Sequence, residues 1–540
     1  ERKYRMSSMS GPSPTLAEER DCSICVEKDH LSISSTDESD DKTISSSDGN
    51  GDIHGNHDIV IFDELLAMIK LAAPVVGTYM LEMMPGVVGL ILVGHIRGDN
   101  TEEIISATAL AVAFLNLFAF TVGFGLSTAM DTLCSQAFGA NQSQRMGVYL
   151  QTGVLVLSSL YIIVCIMFYY STEILIFLGQ PAQVAELAGQ FTRYLLPGVP
   201  FVYLYELLRK VLQAQNNVLP MLYVAIISNV INVITGYFLV YYTRLGWLGV
   251  AVARVVCNIS LPLMLISYVM WNSLHKKFWT GLQYHAAIRG VREFLSLGIP
   301  GMLQLCFEWW AFEMLCIICG LLPNAIIAIG SNAIILNVAS NTYMFYLGLS
   351  IAGSVRIGNA LGANDPQRAK IAAWLTIGMS ATTATICSTL LFIFRKRIPV
   401  LFTHDDEMNE LAQHLLLIGA IFQLPDAVNG ALQGIFRGSG RQSLGAKLNF
   451  VAYYILGIPM GCLLAFRFHE SVGGLWSGMT ASLYLISVCG TVLVSLSNWE
   501  NLAKQAINRT QDKETLPISV ETGECQNLVN PSASNFGSFN

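Results

Sequence analysis

The chain has 540 residues, of which 53% are hydrophobic and only 13% are charged, and its mean hydropathy is +0.50. A soluble domain is about a quarter charged, so this composition excludes a protein built on a large soluble core and indicates a polytopic membrane protein. The net charge of −7 arises mainly from acidic residues before position 57, and no basic tract resembles a nucleic-acid-binding arm.

The chain begins with a polar segment, residues 1–57, that contains the run STDESDDKTISSSDGNGD. Because this segment is poor in aromatic residues it cannot bury enough surface to offset chain entropy, and we expect it to be disordered. It contains no apolar stretch typical of a cleavable signal peptide. Cys22 and Cys25 form one CxxC pair without a second, so no metal site is predicted there. Residues 500–540 are expected to form a second polar tail.

Twelve apolar runs lie between the tails, and each is long enough to cross a membrane, since a span needs about 20 apolar residues. Six precede and six follow the basic stretch HKKFWTGLQYHAAIRGVRE. We therefore predict an all-α polytopic membrane protein with two six-helix lobes, residues 58–273 and 294–499, and a basic cytoplasmic linker at 274–293. The predicted spans are 64–96, 105–138, 146–170, 184–212, 219–242, 246–272, 294–321, 326–361, 371–394, 408–436, 444–466 and 472–496.

Basic residues are distributed unevenly between the two sets of loops. The loops after spans 2, 4, 6, 8 and 10 carry twelve Arg and Lys residues and the opposite loops carry six, of which three are consecutive at 395–397. Because cytoplasmic loops carry the excess of positive charge, we expect both termini to lie in the cytoplasm. A plasma membrane and a vacuolar or other internal membrane fit this pattern equally.

Two similar segments follow one another at a distance of 223 positions, GLSTAMDTLCSQAFGAN from Gly125 to Asn141 and GLSIAGSVRIGNALGAN from Gly348 to Asn364, with eight of seventeen residues identical. They indicate a duplicated, parallel repeat that gives two pseudo-symmetric lobes. Their small residues favour close helix packing at an inner gate, and Gly139 and Gly362 are expected to adopt a left-handed helix cap. Arg356 is expected to snorkel to the cytosolic face or to pair locally.

Span 7 contains two carboxylates, Glu308 and Glu313, within GIPGMLQLCFEWWAFEMLCIICGLLPN. A charged group within a span costs free energy of insertion, so each of these carboxylates is expected to have a structural or functional role. The five-residue gap puts them about 140° apart, so they do not share a face. Glu308 with Phe312, and Trp309 with Glu313, do share a face, and a carboxylate beside an aromatic ring suits an organic cation. The alternative is that each Glu only hydrogen-bonds a neighbouring helix.

Span 10 places Asp426 directly after Pro425. Proline removes one helical hydrogen bond and frees carbonyl groups, so an acid at such a break is suited to an ion site within the membrane. The alternative is an acid that pairs with a nearby Tyr or Asn.

Three acids within the predicted spans of the first half are also considered. Glu82 and Asp131 are candidates for binding protons or substrate. Glu206 precedes Arg209 and Lys210 by one turn, so a local ion pair is its simplest interpretation. No nucleotide, metal or nucleophile motif stands out, so the sequence predicts no enzyme, no cofactor and no metal site.

Three segments, FEWWAFE (307–313), the repeat at 348–364 and GIFRGSGRQSLGAKLNFVAYYILGIP (434–459), strongly resemble the eukaryotic branch of the multidrug and toxic compound extrusion (MATE) family. LCSQAFGA (133–140) resembles that family's second-helix signature. The resemblance covers about residues 60–500 and implies twelve helices in two lobes that export organic solutes in exchange for cations, mostly protons in eukaryotic members.

The resemblance also implies roles for particular residues. Glu308, Glu313 and Asp426 match the family's acids in helices seven and ten. An acid typical of helix one in bacterial members is replaced by Gly89, and Glu82 is an imperfect substitute. The carboxyl lobe is therefore expected to couple transport, with protons and cationic solutes competing for one negative site while the lobes rock between two states.

Other interpretations stay open at this point. The carrier could use sodium in place of protons, it could be a different secondary transporter of a metabolite or lipid-linked solute, or it could be a membrane receptor that transports nothing. The expected partners are a small organic substrate, a proton and the lipid bilayer, with no nucleic acid, and the expected state is a monomer.

Overall fold

Long helices account for almost all of the computed structural model, which describes residues 51–96, 101–403, 405–468 and 471–511, with side chains from residue 61 onward except those of 101, 102 and 511. The disorder predicted for residues 1–57 lies outside these ranges except for 51–57, which begin the first helix. The Cys22–Cys25 pair also lies outside them. The described residues from 56 onward form one compact unit.

Thirteen helical stretches are labelled here in chain order. Within the described residues, each predicted span corresponds to one of the first twelve. They are α1 (Gly51–Gly94), α2 (101–139), α3 (Arg145–Tyr169), α4 (182–214), α5 (Leu219–Tyr242), α6 (Leu248–Trp271), α7 (Tyr284–Cys319), α8 (Ala325–Gly362), α9 (Pro366–Phe394), α10 (Asp406–Ser439), α11 (Gln442–Arg467), α12 (Ser471–Ser495) and α13 (Trp499–Gln511).

Three of these stretches change their helical pitch along their length, and two short helices connect others. The pieces of α2 are Thr101–Leu115, a π turn at Asn116–Phe120, Thr121–Ser127 and Ala129–Gly139; those of α4 are Ala182–Leu195, a 3-10 turn at Leu196–Gly198 and Val199–Ala214; those of α11 are Gln442–Phe450, a π turn at Val451–Gly457, Ile458–Cys462 and a second π turn at Leu463–Arg467; the connecting helices are Ser171–Phe177 and His275–Phe278.

Eleven of the twelve predicted spans are helices that are long and apolar enough to cross a membrane, among the residues that the structure describes. The remaining one, 184–212, is helical as α4, but it buries Glu206, Arg209 and Lys210 and is therefore less apolar. The protein is an all-α, multi-pass integral membrane protein, as predicted.

Besides α1, which begins thirteen residues before its predicted span, two further helical segments lie outside what the apolar pattern predicts. α7 begins at Tyr284, ten residues before the predicted span, because its first turns are polar and continue the helix outside the apolar run. α13 lies at the start of the segment predicted as a polar tail, and it packs against α2, α8 and α9 through Trp499, Leu502 and Ala506.

The two repeated segments end with the same backbone geometry. The left-handed residue expected at Gly139 and Gly362 is instead Asn141 and Asn364, both with φ near 59°. The prediction was two residues too early, because the helices α2 and α8 continue through their glycines. Asn tolerates this conformation through its short polar side chain, so the glycines are needed for another reason, which is packing.

Within each half, helices pack both on their neighbours in the chain and on helices two positions away. In the first half α5 packs on α6, and α2 on α4; in the second half α10 packs on α8, α9 and α12. The apolar core of the first half also includes Leu349, Ile351 and Val355 of α8, which belong to the second repeated segment. The end of α8 therefore joins the two halves.

Candidate functional site

Two buried carboxylates of the second half lie on facing helices. Glu308 of α7 and Asp426 of α10 are both almost inaccessible. Glu308 accepts a hydrogen bond from the Gln433 amide at 2.7 Å, and Tyr343 and Arg437 also interact with it. Gln433 lies seven residues after Asp426, so the two share one face of α10. The structure thus brings two predicted site residues into one polar cluster.

Neither of these two carboxylates forms an ion pair within 4 Å with a described residue, although Arg437 exerts an attraction on Glu308. The Arg437 guanidinium donates instead to the Ser350 hydroxyl at 2.9 Å. A buried carboxylate without a salt-bridge partner is unstable in its charged form, since desolvation penalises the charge. A proton or a cation can therefore bind Glu308 or Asp426 without first breaking a salt bridge.

The other candidates in span 7 lie elsewhere. Glu313 is partly buried, and it makes no hydrogen bond or ion pair with any residue that the structure describes. Trp309, on the same face as Glu313, is also partly exposed. The structure does not join this pair to the cluster of Glu308 and Asp426, in agreement with the angle expected from their spacing.

Phe312, predicted to share a face with Glu308, belongs to an aromatic cluster. Its ring centroid lies 6.1 Å from those of Phe422 and Tyr453 and 6.0 Å from that of Trp476. Trp476 in turn donates a hydrogen bond to Asn332 at 2.9 Å. These contacts make Phe312 part of the rigid core that supports the acidic cluster.

The acids of the first half, in contrast, are bonded to two cations of α4. Arg209 donates to both carboxylate oxygens of Glu82 at 2.7 Å and also pairs with Glu206. Lys210 pairs with Asp131 at 2.8 Å and with Glu206 at 3.6 Å. The local pairing expected for Glu206 is confirmed. Glu82 and Asp131 are already compensated, so a cation or proton would have to displace Arg209 or Lys210 to reach them.

Small residues bring the two repeated segments into direct backbone contact. A Cβ atom at Gly139 would collide with the Asn359 carbonyl, and one at Gly358 would collide with the Ser135 side chain. Only helices with small residues at these positions can approach so closely. The ends of α2 and α8 therefore pack against each other, one from each half.

Hydrogen bonds also join α2 to the end of α10 and the start of α11. Thr132 donates to the Arg437 carbonyl at 2.5 Å, Gln136 to the Gly438 carbonyl at 3.1 Å, and Gln442 to the Thr132 hydroxyl at 2.7 Å. Each bond crosses from one half to the other, so the molecule is closed at this end.

An ion-pair cluster also crosses between the halves. Glu64 of α1 is buried and accepts bonds from Arg356 Nε at 2.5 Å, Arg356 Nη2 at 2.7 Å and Arg368 Nε at 2.7 Å. Arg356 thus pairs with a residue 292 positions away, not with a local one, because folding brings α1 against α8. We call Glu64, Arg356 and Arg368 the inner ion cluster.

Sequence reasoning missed several members of these sites. Gln433 carries the signal of seven-residue spacing from Asp426, which predicts a shared helix face. Tyr343 and Glu64 carry no comparable signal, because their roles depend on contacts between helices that are far apart in the chain. Among the described residues, no group of three or more His, Cys, Asp or Glu could hold a metal ion.

Comparisons with known proteins agree with this architecture. The MatE family matches residues 74–238 and 300–463, which is one segment in each half, as the repeat predicts. Multidrug and toxin extrusion protein 1 of Danio rerio is 32% identical over 447 residues, covering 83% of this chain and 74% of that protein.

Plant proteins are similar at the same level. Protein DETOXIFICATION 16 of Arabidopsis thaliana is 31% identical over 455 residues, covering 84% of this chain and 92% of that protein. The crystal structure of the eukaryotic MATE transporter AtDTX14 matches with a TM-score of 0.79 and 31% identity, covering 84% of this chain and 100% of that chain.

Proposed function

The chain belongs to the MatE family of multidrug and toxin extrusion transporters, and from this premise we propose that it exports organic solutes, cationic ones among them, in exchange for protons. It is an integral membrane transporter of small organic molecules, and its relatives include a protein named for multidrug and toxin extrusion and a eukaryotic MATE transporter. The coupling ion, the charge of the solute and the residues that bind both are the proposal.

The observation that carries the proposal is the difference between the halves. All three acids of the first-half cluster are bonded to Arg209 or Lys210, whereas Glu308 and Asp426 form no ion pair within the described residues. A carboxyl group that is removed from water and unpaired favours its neutral form. It becomes charged when a cationic solute replaces the proton, so proton and solute bind in turn.

This competition produces exchange if the site opens to one side at a time. If the termini lie in the cytoplasm, the closed end formed by the repeated segments faces the cytoplasm, and the described state is closed toward that side. Protons from outside would then neutralise Glu308 and Asp426 and release the solute. Separation of α2 from α8 and α10 would open the other side.

Flux measurements in proteoliposomes test the proposal. We expect a pH gradient to drive export of a fluorescent organic cation by the native chain, and we expect Glu308→Gln and Asp426→Asn to reduce this flux at least about tenfold, since each removes a group that exchanges proton for solute. Glu410→Gln is the matched control, because Glu410 lies on α10 but is exposed.

Two results would contradict the proposal. Flux that is driven by a sodium gradient and not by a pH gradient would show that sodium, and not the proton, is the coupling ion. Undiminished proton-driven flux in both variants, with Glu82→Gln abolishing it, would move the coupling site to the first half.

A further inference from the structure

A cavity of about 650 Å³ lies at one end of the first half, beside the segment that links the halves. Its walls are formed by α3, α4, the last two turns of α6, the connecting helix His275–Phe278 and the start of α7. Most of the side chains that line it are apolar, and none of the acids assigned above to proton or solute binding is among them. A volume of this size is typical of a site for a small molecule.

The cavity opens on the outer surface of the first half. Val154 of α3 and Ile266 and Met270 of α6 line it, and these side chains are 39%, 36% and 56% exposed. Leu150 and Val269, on the same two helices, are buried and form its floor. Because both helices span the membrane, a molecule that enters between the exposed side chains comes from the bilayer. The cavity is therefore accessible to the acyl chains of lipids.

Hydrogen bonds fix the linker against α3 and so form another wall of the cavity. The side-chain amide of Gln151 donates to the Gly281 carbonyl at 2.9 Å, and its oxygen accepts from the backbone N–H of Gln283 at 2.7 Å. The Thr152 hydroxyl donates to the Ala287 carbonyl at 3.1 Å. The shape of the cavity is thus held by specific bonds between α3 and the segment that begins the second half.

Positive charge lies at the linker end of the cavity. Lys276 and Lys277 directly follow the lining residue His275 on the connecting helix, and both are exposed. Neither side chain forms an ion pair with any residue that the structure describes. Residues 145–169 and 207–292, which include α3, α6 and the linker as far as α7, contain no Asp or Glu. This end of the cavity is therefore complementary to an anion.

A polar atom at the same end lacks a partner. Nδ1 of His275 is buried and makes no hydrogen bond within the described part of the chain. Buried polar atoms without a partner are rare, because leaving one unpaired costs free energy. An oxygen-rich headgroup would accept a hydrogen bond from this nitrogen in its protonated tautomer, whereas a purely apolar ligand would not. The cavity thus combines an apolar interior with a cationic, hydrogen-bonding rim.

We propose that this cavity binds an acyl chain of an anionic phospholipid whose headgroup is held by His275, Lys276 and Lys277. Basic residues next to a transmembrane helix attract anionic lipids, and basic pockets between spans bind their headgroups. If the termini lie in the cytoplasm, this end of the first half lies in the cytoplasmic leaflet, which is rich in anionic lipids. The lipid contacts both α6 and α7, one from each half. The site is separate from the acids of the proposed exchange and does not depend on the coupling ion.

Two phospholipids with the same acyl chains test the headgroup assignment. The purified full chain in detergent should bind dioleoyl phosphatidylserine at least about tenfold more tightly than dioleoyl phosphatidylcholine in native mass spectrometry, because two lysines attract the anionic headgroup. Lys276→Gln with Lys277→Gln should bring the two affinities within about twofold of each other. Lys396→Gln with Arg397→Gln, the same change of charge at an exposed pair just after α9, should keep the preference.

Two substitutions of neighbouring serines test the acyl-chain assignment. Ser158 lines the cavity, whereas the exposed Ser159 does not. Ser158→Trp should fill the cavity and weaken phosphatidylserine binding about tenfold, because the acyl chain loses apolar contact area, and Ser159→Trp should leave binding unchanged. Equal binding of the two phospholipids, an unchanged preference in the double lysine variant, or unchanged binding in Ser158→Trp would overturn the proposal. Tighter binding of cholesterol than of phosphatidylserine would assign the cavity to a neutral lipid and would also overturn it.

Discussion

The inner ion cluster predicts how strongly the closed end is held. Substitution Glu64→Gln keeps the size of the side chain and removes the charge that pairs with Arg356 and Arg368. Glu64 is 1% exposed and the Arg356 side chain 14%, whereas that of Arg368 is 46% exposed. Breaking a buried pair costs about 3–5 kcal/mol, but an exposed pair contributes only about 0–1 kcal/mol.

We take the lower end, about 3 kcal/mol, because Arg368 is solvated and keeps water as a partner. The penalty applies to the closed state, since separation of the halves would expose Arg356 to water. At about 1.4 kcal/mol per tenfold change, the ratio of closed to open molecules should fall about 100-fold. The inner end of the variant should therefore be open in a much larger fraction of molecules.

Distance measurements between labels on the two halves check this expectation. Cysteines introduced at Gln144, directly before α3, and at Lys370, near the start of α9, carry the labels for electron paramagnetic resonance, since both positions are exposed and one lies in each half. Glu64→Gln should shift the distribution to longer distances, and Asp63→Asn, at the exposed neighbour of Glu64, should not. An unchanged distribution in Glu64→Gln, or an equal shift in Asp63→Asn, would refute the conclusion that the inner ion cluster stabilises the closed state.

Three further substitutions test separate contacts. Gly358→Val should destabilise the closed end by about 1–3 kcal/mol through overpacking against Ser135, seen as a lower unfolding temperature, whereas Gly378→Val, where a Cβ meets nothing within 4 Å, should not. Gln433→Leu should lower proton-driven flux by about tenfold, because a buried Glu308 oxygen loses its donor at about 1–3 kcal/mol; unchanged flux would contradict this. Leu502→Ala should cost about 2–5 kcal/mol in denaturant unfolding, because it empties a buried contact of α13; Lys504→Ala, exposed on the same helix, should cost little.

The membrane helices could be predicted because every segment that crosses the bilayer has to meet the same physical requirement. Every span needs an apolar run that satisfies its own backbone hydrogen bonds, and such runs are visible in the sequence. The boundaries differ where polar turns extend a helix beyond the apolar run, as at Tyr284, or where an amphipathic helix such as α13 follows the last span. Hydropathy contains no information on either.

The candidate site was predictable only in part. Glu308 and Asp426 stand out because charges within spans are rare. The same rule could not reveal that Glu82 and Asp131 are paired with cations of α4, since 127 and 79 positions separate the partners. Pairing between distant helices depends on packing, and one sequence does not encode it in a local pattern.

The two repeated segments share their helix packing but differ in their charged residues. Both repeated segments retain their small residues and end at an Asn with the same left-handed geometry, because the close contact between α2 and α8 requires both. At aligned positions, Asp131 of the first copy is matched by Ser354 of the second, and the first copy's acid binds Lys210. In the first half every acid of the buried cluster therefore has a fixed partner, while the second half keeps Glu308 and Asp426 without one. Under the proposed function, a symmetric scaffold with unequal charges would allow the two halves to move as equals while only the second half exchanges protons.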